Sequence, residues 1–340
     1  MIDKERIKEF INATLMKRNL KFYTTEYIRT SCIYWSLGTF KLLNEDMTSL
    51  KAFSLCYLNE VYNDDGGYGQ SLNFPSTITA TLSALQTYDL MGETFYDEKT
   101  EDYLLSHLNE EGSCKSEDDN RLVCCIILSL VLLNRAKENK KSLNRIKIKN
   151  LGIKFDFDSE IEVKLEKENE RSKRYTLSEE YLSHLTGKGF DKDKIINFIL
   201  QCYNDDGGFG MNKGAESHAA QVFCCIAILR SFNYLDCFDK SLTVQFLSLR
   251  QNNTGGLTGR PDKLEDVCYS YWTFSSLYML GSDEFIDKEK LIDFVYKCHE
   301  FGFADRPGNQ EDLFHTMYAL SALSLLKEKG IAEVDPGLCV

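Results

Sequence analysis

The chain has 340 residues, with 40 lysines and arginines against 52 aspartates and glutamates, so its net charge is −12. This negative balance argues against nucleic acid or an anionic membrane as the main partner. No apolar run reaches the ~18 residues of a membrane span, and the charged first residues do not resemble a signal peptide. The length exceeds the ~250–300 residues that one ordinary core supports, which predicts two domains or one closed or repetitive architecture.

The 12 cysteines do not indicate a disulfide-rich secreted protein. Several of them lie in pairs inside apolar helical segments, as Cys124–Cys125 and Cys224–Cys225 do. Buried free thiols behave as small hydrophobic side chains. We therefore expect a reducing, cytoplasmic compartment.

A repeat runs along the chain. Its glycine anchors are Gly67, Gly112, Gly208, Gly256 and Gly302, which recur every ~45–48 residues except for one interval about twice as long. In each unit an amphipathic helix ends at a glycine-rich turn, and a loop and a more apolar helix follow. Glycine suits this turn because it adopts positive φ at little cost.

The repeat predicts an all-α chain in which outer and inner helices alternate. Amphipathic outer helices are predicted at about 3–18, 48–62, 96–109, 191–203, 238–251 and 287–299. Apolar inner helices are predicted at about 25–43, 76–91, 119–133, 217–231, 266–280 and 312–327. Six of each favour an α–α barrel around a central cavity, although the count alone does not exclude an open superhelix.

We predict one domain over residues 1–340 with a charged surface insertion at about 134–187, which accounts for the long interval. Its composition is typical of a solvated loop, and a local contact with an anionic partner is the alternative.

The loops after the glycine anchors are the candidate functional regions. Asp266, Cys268 and His315 supply a carboxylate, a thiol and an imidazole, which are zinc ligands, and three protein ligands are typical of a catalytic site. Because i and i+2 face different sides of a helix, Asp266 must cap the helix and turn inward. Alternatively the three are a capping aspartate, a buried cysteine and an ordinary polar histidine.

Basic residues accompany this cluster in an otherwise acidic protein. Arg260, Lys263 and Tyr269 lie near it in sequence, and His218 and Arg121 occupy the matching positions of earlier repeats. Together they could form a cationic pocket for a phosphate or diphosphate, unless they are ordinary surface charges. Aromatic residues of the inner helices either line an apolar tunnel or are simply core.

Three segments resemble the beta subunits of protein prenyltransferases. They are DGGFGMNKGAESHAAQVFCC (206–225), GGLTGRPDKLEDVCYSYW (255–272) and GFADRPGNQEDLFHTMYALSALSLL (302–326). The resemblance covers roughly residues 20–330 apart from the insertion, and it implies a prenyltransferase/terpenoid cyclase-like toroid. The segment RTSCIYW (29–35) adds a likeness to the type II geranylgeranyltransferase branch, which prenylates Rab GTPases.

The resemblance implies a role for each candidate residue. It implies zinc on Asp266, Cys268 and His315, which act in catalysis with Tyr269. It implies substrate contacts from His218, Arg260, Lys263, Tyr269, Arg121, Ser31 and Trp272. The first four of these would contact the diphosphate, Arg121 and Trp272 would line the lipid pocket, and Ser31 would leave room for a geranylgeranyl chain. Asp305 matches a position implied to bind magnesium.

The same resemblance implies a catalytic beta subunit that joins a prenyltransferase alpha subunit. Geranylgeranyl diphosphate would donate the lipid, and a Rab GTPase presented by a Rab escort protein would accept it on C-terminal cysteines. The alternatives are a beta subunit that acts on CaaX proteins, a terpene cyclase, and a non-enzymatic helical scaffold.

Overall fold

The computed structural model describes residues 2–138 and 175–340. Its helices are α1 (Lys4–Leu15), α2 (Leu20–Thr24), α3 (Arg29–Leu42), α4 (Thr48–Val61), α5 (Ile78–Leu90), α6 (Glu98–Ser106), α7 (Asn120–Glu138), α8 (Glu179–Thr186), α9 (Lys192–Gln201), α10 (Ala219–Ser231), α11 (Lys240–Ser248), α12 (Val267–Met279), α13 (Lys288–Lys297) and α14 (Leu313–Leu325). Two short strands, β1 (Tyr68–Gly69) and β2 (Ser76–Thr77), pair antiparallel in the loop before α5. Within these described ranges, no helix is both long and apolar enough to cross a bilayer.

The inner helices form a closed ring, which confirms the predicted α–α barrel. Going round the ring, α3 packs on α5, α5 on α7, α7 on α10, α10 on α12 and α12 on α14, and α14 returns to pack on α3. The last contact excludes the open superhelix. Every predicted inner and outer helix is present, and α2 and α8 are helices that the repeat pattern did not predict.

Burial follows the two kinds of sequence pattern. Inner helix α14 buries side chains on all sides, with Ala319, Leu320 and Leu323 fully enclosed, because it packs between inner helices α12 and α3 and under outer helix α13. Outer helix α13 buries only Leu291, Phe294 and Val295 and keeps its charged face in solvent. The apolar and amphipathic helices of the repeat are thus the two layers of the barrel.

Several inner helices begin at one rim, held there by a recurring backbone hydrogen bond. An N–H group at the start of each of α3, α7, α10 and α12 donates to a carbonyl in the loop that precedes the next inner helix along the chain. For example, Ala219 N donates to Gly259 O at 2.8 Å, and Val267 N donates to Asp305 O at 2.9 Å. These bonds occupy N–H groups that a helix start leaves without a partner. Side chains at the starts of neighbouring inner helices therefore converge.

The glycine-rich turns connect each repeat to the next. At the first turn Asn63 N donates to Gly67 O, and Gly66 adopts a φ of 92°. A Cβ on Gly66 would lie 2.3 Å from the carbonyl oxygen of Lys99, at the start of the following outer helix. The positive-φ residue is thus Gly66, one position before the anchor Gly67. In the next repeat it is the anchor Gly112 itself, with a φ of 86°.

The described flanks of the predicted insertion belong to the packed body. Residues 134–138 continue α7, and Leu177, Tyr181 and Leu185 around α8 are buried. The buried Glu101 carboxylate on α6 binds Tyr181, His184 and Lys188, which fastens α8 to the outer layer. Residues 139–174 of the predicted insertion lie outside the described residues.

The closing seam of the ring can be tested at Gly38. A Cβ there would lie 2.4 Å from the Met317 Cε atom on α14. We expect Gly38→Leu to lower the free energy of unfolding by about 1–3 kcal/mol through overpacking. We expect the double variant with Met317→Ala to lose less than the sum of the two single losses. Urea unfolding of the four proteins measures this coupling, and strictly additive losses would contradict a packed seam.

Candidate active site at the rim of the barrel

Asp266 and Cys268 meet at the start of α12. Asp266 is the N-cap residue, with extended backbone, and its carboxylate accepts a hydrogen bond from Cys268 N at 2.8 Å. This cap turns the carboxylate back toward the first turn of the helix, which carries the Cys268 thiol. The inward turn that the i, i+2 spacing requires is therefore present.

His315 reaches the same point from the first turn of α14. Its Nδ1 lies 2.6 Å from Asp312 Oδ2, and its Nε2 lies 3.4 Å from Asp266 Oδ1. One ligand atom from each of Asp266, Cys268 and His315 lies within 4.8 Å of the other two. The structure thus assembles the three predicted ligands on neighbouring inner helices.

Asp312 completes this cluster, and the sequence reasoning missed it. It caps α14 by accepting from His315 N at 2.8 Å, and its other carboxylate oxygen holds the imidazole. A carboxylate on one ring nitrogen orients the other nitrogen toward a metal. The available signal was an aspartate three residues before the histidine at a helix start.

The nearby carboxylates influence the protonation states of His315 and Cys268. Burial alone would lower the pKa of His315, but hydrogen bonds with Asp266 and Asp312 outweigh it and raise that pKa to about 9. Burial and the neighbouring Asp266 carboxylate raise the pKa of the Cys268 thiol well above its usual range. Without a cation the cluster therefore favours imidazolium and thiol. A bound divalent cation would favour the deprotonated ligands, so this donor set fits a zinc ion.

A second polar group lies beside the cluster, between α10 and α12. His218 is the N-cap of α10, and its Nδ1 accepts from Ala220 N at 3.1 Å. That bond places the proton of the neutral ring on Nε2, which lies 3.3 Å from Tyr269 Oη. Gly259 permits this contact, because a Cβ there would lie 2.7 Å from both atoms.

Both groups of this pair are uncharged hydrogen-bond donors near neutral pH. Burial and the positive charge of Arg260 lower the pKa of His218. Burial and the neighbouring Cys268 and Asp266 side chains raise the pKa of Tyr269 to about 12. The pair can therefore donate to an anion without first changing its protonation.

The predicted basic residues differ in what they contact. Arg260 forms an ion pair with Glu216 at 2.5 Å, and its side chain is 37% exposed. Lys263 is exposed on the same loop. Arg121 forms a hydrogen-bonded pair with Asp119, whose side chain is 1% exposed, while the arginine itself is 55% exposed. The two carboxylate partners were not predicted from the sequence.

Two predicted lipid-pocket residues lie on the inner helices, in different surroundings. Ser31 is buried, and its hydroxyl lies 3.0 Å from Ser83 Oγ and accepts from Gln70 Nε2 at 3.1 Å. Trp272 is half-buried, with its ring centroid 5.8 Å from that of Phe314 and 5.4 Å from that of Tyr318. Aromatic rings therefore continue inward from Tyr269, whose centroid is 5.8 Å from that of Trp272.

Asp305 does not join the metal cluster. Its carboxylate forms an ion pair with Arg306 at 2.9 Å and accepts from Asn309 Nδ2 at 2.8 Å. In this arrangement its negative charge is paired with Arg306, and its magnesium role stays a prediction. Its backbone carbonyl instead anchors the start of α12.

Comparison with known proteins places this barrel in a family. The family model "Prenyltransferase alpha-alpha toroid domain" matches residues 2–340. The geranylgeranyl transferase type-2 subunit beta of Saccharomyces cerevisiae is 30% identical over 358 residues, which span 100% of this chain and 94% of that protein. The geranylgeranyl transferase type-1 subunit beta of Arabidopsis thaliana is 38% identical over 163 residues, 44% of each chain.

A solved structure supports the same fold. The Candida albicans protein geranylgeranyltransferase-I complexed with GGPP superposes with a TM-score of 0.74 and 20% identity, covering 99% of this chain and 95% of that chain. The chain belongs to the prenyltransferase alpha–alpha toroid family. Within it the chain is a beta subunit of a protein prenyltransferase, an enzyme that transfers prenyl groups.

The role of Asp312 gives a direct test of the site's electrostatics. We expect Asp312→Asn to lower the pKa of His315 from about 9 toward its ordinary value of 6.5, because one of two carboxylate partners is lost while asparagine still caps the helix. Titration of the metal-free protein with labelled histidine, followed by NMR, measures this shift. Asp305→Asn is the control, and an unchanged His315 pKa in Asp312→Asn would contradict the assignment.

Proposed function

We propose that the chain is the catalytic beta subunit of a type II protein geranylgeranyltransferase. It would transfer geranylgeranyl from geranylgeranyl diphosphate to C-terminal cysteines of Rab GTPases. The observation that carries the proposal is the meeting, at one rim, of a three-ligand metal cluster and a set of anion-binding donors, above an aromatic-lined interior. The likeness to type-2 beta subunits over the whole chain supports the choice of branch.

The acceptor side of the reaction would lie at the acidic cluster. Asp266, Cys268 and His315 would hold zinc, which when bound lowers the pKa of a coordinated thiol and so favours a cysteine thiolate. Asp312 holds the His315 ring so that Nε2 faces the other two ligands. Three protein ligands leave a position for the acceptor sulfur.

The donor side would lie next to it. Tyr269 Oη and His218 Nε2 supply two neutral donors, and Arg260 and Lys263 supply positive charge on the adjoining loop. These groups would bind the diphosphate and stabilise the charge that grows on it as the bond to the prenyl carbon breaks. Arg260 would exchange its exposed partner Glu216 for the diphosphate, which costs little because such surface pairs are weak.

The prenyl chain would extend inward along the aromatic residues. Burial contributes about 0.8 kcal/mol per CH₂ group, so an apolar interior binds a long lipid without specific contacts. Trp272 would line this path, and the small, buried Ser31 would leave room for the longer geranylgeranyl group. Arg121, at the start of α7, would line the same lipid path.

The partners follow from the proposed branch. An alpha subunit would complete the heterodimer, and a Rab escort protein would present the Rab substrate. The cytoplasm remains the expected location, and a magnesium role for Asp305 remains a prediction from the resemblance. The acceptor decides between the type II and CaaX branches, because both use the same rim chemistry. Full-chain likeness favours the first.

Loss of the thiol tests the metal cluster. We expect Cys268→Ser to reduce bound zinc and to bring transfer to background, with helicity retained. Metal analysis, a transfer assay and circular dichroism measure the three quantities. Cys202→Ser is the matched control, because Cys202 is a buried cysteine at the end of outer helix α9, and its thiol donates to Phe198 O of that helix. Full activity with Cys268→Ser would remove the zinc hypothesis.

Loss of a cationic group tests the diphosphate site. We expect Arg260→Ala to lower kcat/KM and the affinity for geranylgeranyl diphosphate by about 10- to 100-fold, the value of a hydrogen bond to a charged group. Steady-state kinetics and direct lipid binding report the two effects, with Lys297→Ala on outer helix α13 as the control. Unchanged constants would place Arg260 outside the site.

The choice of acceptor tests the branch. The chain co-expressed with an alpha subunit is given labelled geranylgeranyl diphosphate and two acceptors, a Rab ending in two cysteines with its escort protein and a protein ending in a CaaX box. Label on the Rab alone supports type II. Label on the CaaX protein alone moves the chain to that branch, and cyclised lipid without any protein label indicates a terpene cyclase. If the chain neither transfers nor binds the lipid, the non-enzymatic helical scaffold is the remaining alternative.

A further inference from the structure

The ion pair between Arg260 and Glu216 joins two loops at the rim. Arg260 lies in the loop before α12, and Glu216 lies in the loop before α10, 44 residues earlier in the chain. The carboxylate oxygen Oε2 of Glu216 accepts from Arg260 Nη1 at 2.5 Å. A diphosphate group is an anion as well, so it would need the same guanidinium. Glu216 therefore occupies a cationic group on the donor side of the site.

The backbone on both sides of Glu216 is fixed. Before it, the carbonyl oxygen of Ala215 accepts from Asn204 Nδ2 at 2.9 Å. After it, Ser217 Oγ donates to Asp206 Oδ1 at 2.6 Å. Asn204 and Asp206 belong to the glycine-rich turn of the same repeat. The carboxylate of Glu216 can turn about its own bonds, but its attachment point stays at the rim.

The backbone next to Arg260 is fixed in the same way. Gly259 O accepts from Ala219 N at 2.8 Å, at the start of α10. A Cβ on Gly259 would lie 2.7 Å from both His218 Nε2 and Tyr269 Oη, so this loop packs directly on the two neutral donors. The Arg260 side chain therefore begins beside the donor pair, and its own torsions decide whether it contacts Glu216 or a ligand held by that pair.

Both charges of the ion pair act on His218. Burial is the main reason that the pKa of His218 is lowered, and the charge of Arg260 lowers it further, whereas the charge of Glu216 acts in the opposite direction. The negative charge of Glu216 is thus felt at the imidazole that would face the diphosphate. An anion bound at the donor pair would be repelled by Glu216 once Arg260 has turned to the anion.

We propose that Glu216 competes with the diphosphate group for Arg260 and thereby promotes release of the diphosphate product. The proposal rests on the proposed function, because it takes Arg260 to bind that group. While a ligand holds Arg260, the carboxylate has lost its cation. When the guanidinium returns to Glu216, the ligand loses a charged contact and its dissociation becomes easier. The exchange forms and breaks only noncovalent contacts.

The competition weakens substrate and product by a similar factor, but the consequence differs between them. Geranylgeranyl diphosphate is also held by burial of its prenyl chain, which does not depend on Arg260. The inorganic diphosphate that remains after transfer has no apolar part, so the polar contacts at the rim are all that hold it. Weakening one of these contacts therefore favours loss of the product while the substrate stays bound.

The test uses the chain in complex with its alpha subunit and the variant Glu216→Gln, which removes the charge and keeps the size. We expect this variant to bind inorganic diphosphate and geranylgeranyl diphosphate about three- to fivefold more tightly, because no exposed ion pair has to be given up first. Product inhibition by inorganic diphosphate should strengthen by the same factor. Isothermal titration calorimetry and steady-state kinetics measure these constants. Glu289→Gln, at an exposed position of outer helix α13, is the control and should change none of them.

Two further measurements separate competition from a structural effect. In an Arg260→Ala background, Glu216→Gln should change the affinity for inorganic diphosphate by less than about twofold, because no guanidinium remains to compete for. With Arg260 present, the gain from Glu216→Gln should shrink as the ionic strength rises from about 0.05 M to about 0.5 M, because salt screens exposed charges. Glu216→Ala also removes the carboxylate, and we expect the same gain from it.

Unchanged dissociation constants in folded Glu216→Gln and Glu216→Ala variants would overturn the proposal. An equal gain with and without Arg260 would overturn it as well, since the carboxylate would then act without the arginine. Circular dichroism and melting temperatures establish that the variants are folded. If the wild-type complex does not bind geranylgeranyl diphosphate, the proposed function itself fails. Wild-type binding together with unchanged constants in the Glu216 variants removes only the role of Glu216.

Discussion

The candidate site depends on one recurring backbone hydrogen bond. In it, an N–H group at the start of an inner helix donates to the loop that precedes the next inner helix along the chain. It holds the starts of α3, α7, α10 and α12 to their neighbouring loops. Residues far apart in sequence are thereby brought to one rim, where positive helix dipole ends also converge. The same bonds therefore order the rim of the barrel and bring the candidate site residues together.

Two adjacent residues of α12, Cys268 and Tyr269, belong to two different groups of side chains at that rim. Consecutive residues on a helix point about 100° apart. Cys268 belongs to the acidic cluster with His315 of α14, while Tyr269 turns to His218 of α10. The acidic group and the donor group are thus separate, yet only one residue apart along the helix. Such placement brings the metal-ligand cluster and the neutral hydrogen-bond donors side by side at the rim.

Much of this could be predicted from the sequence, because the repeat carries it. Glycine turns and apolar helices recur, so the layers and the rim positions of Asp266, Cys268 and His315 follow from the period. The ring closure did not follow, since the count of helices permits an open array as well. It became evident from the packing of α14 on α3.

The features that could not be predicted are hydrogen-bond and ion-pair partners whose positions do not recur with the repeat. Asp312, Glu216 and Asp119 each pair with a predicted residue, but acidic side chains are common in this chain and nothing in the spacing selects them. The burial of the last residues could not be predicted for a similar reason. Tyr34 and Gln86 of the inner helices donate to the backbone carbonyls of Cys339 and Leu338, and such bonds leave no mark in the sequence of the segment that accepts them.

The return of α14 to α3 also limits how such a protein can change. An open array of helix pairs can lengthen or shorten by one unit at its ends, since each unit touches only its neighbours there. In this ring every inner helix has a neighbour on both sides, so removing one pair opens two seams and changes the curvature required of all the others. The number of units is therefore fixed by closure, and variation is confined to the loops between them.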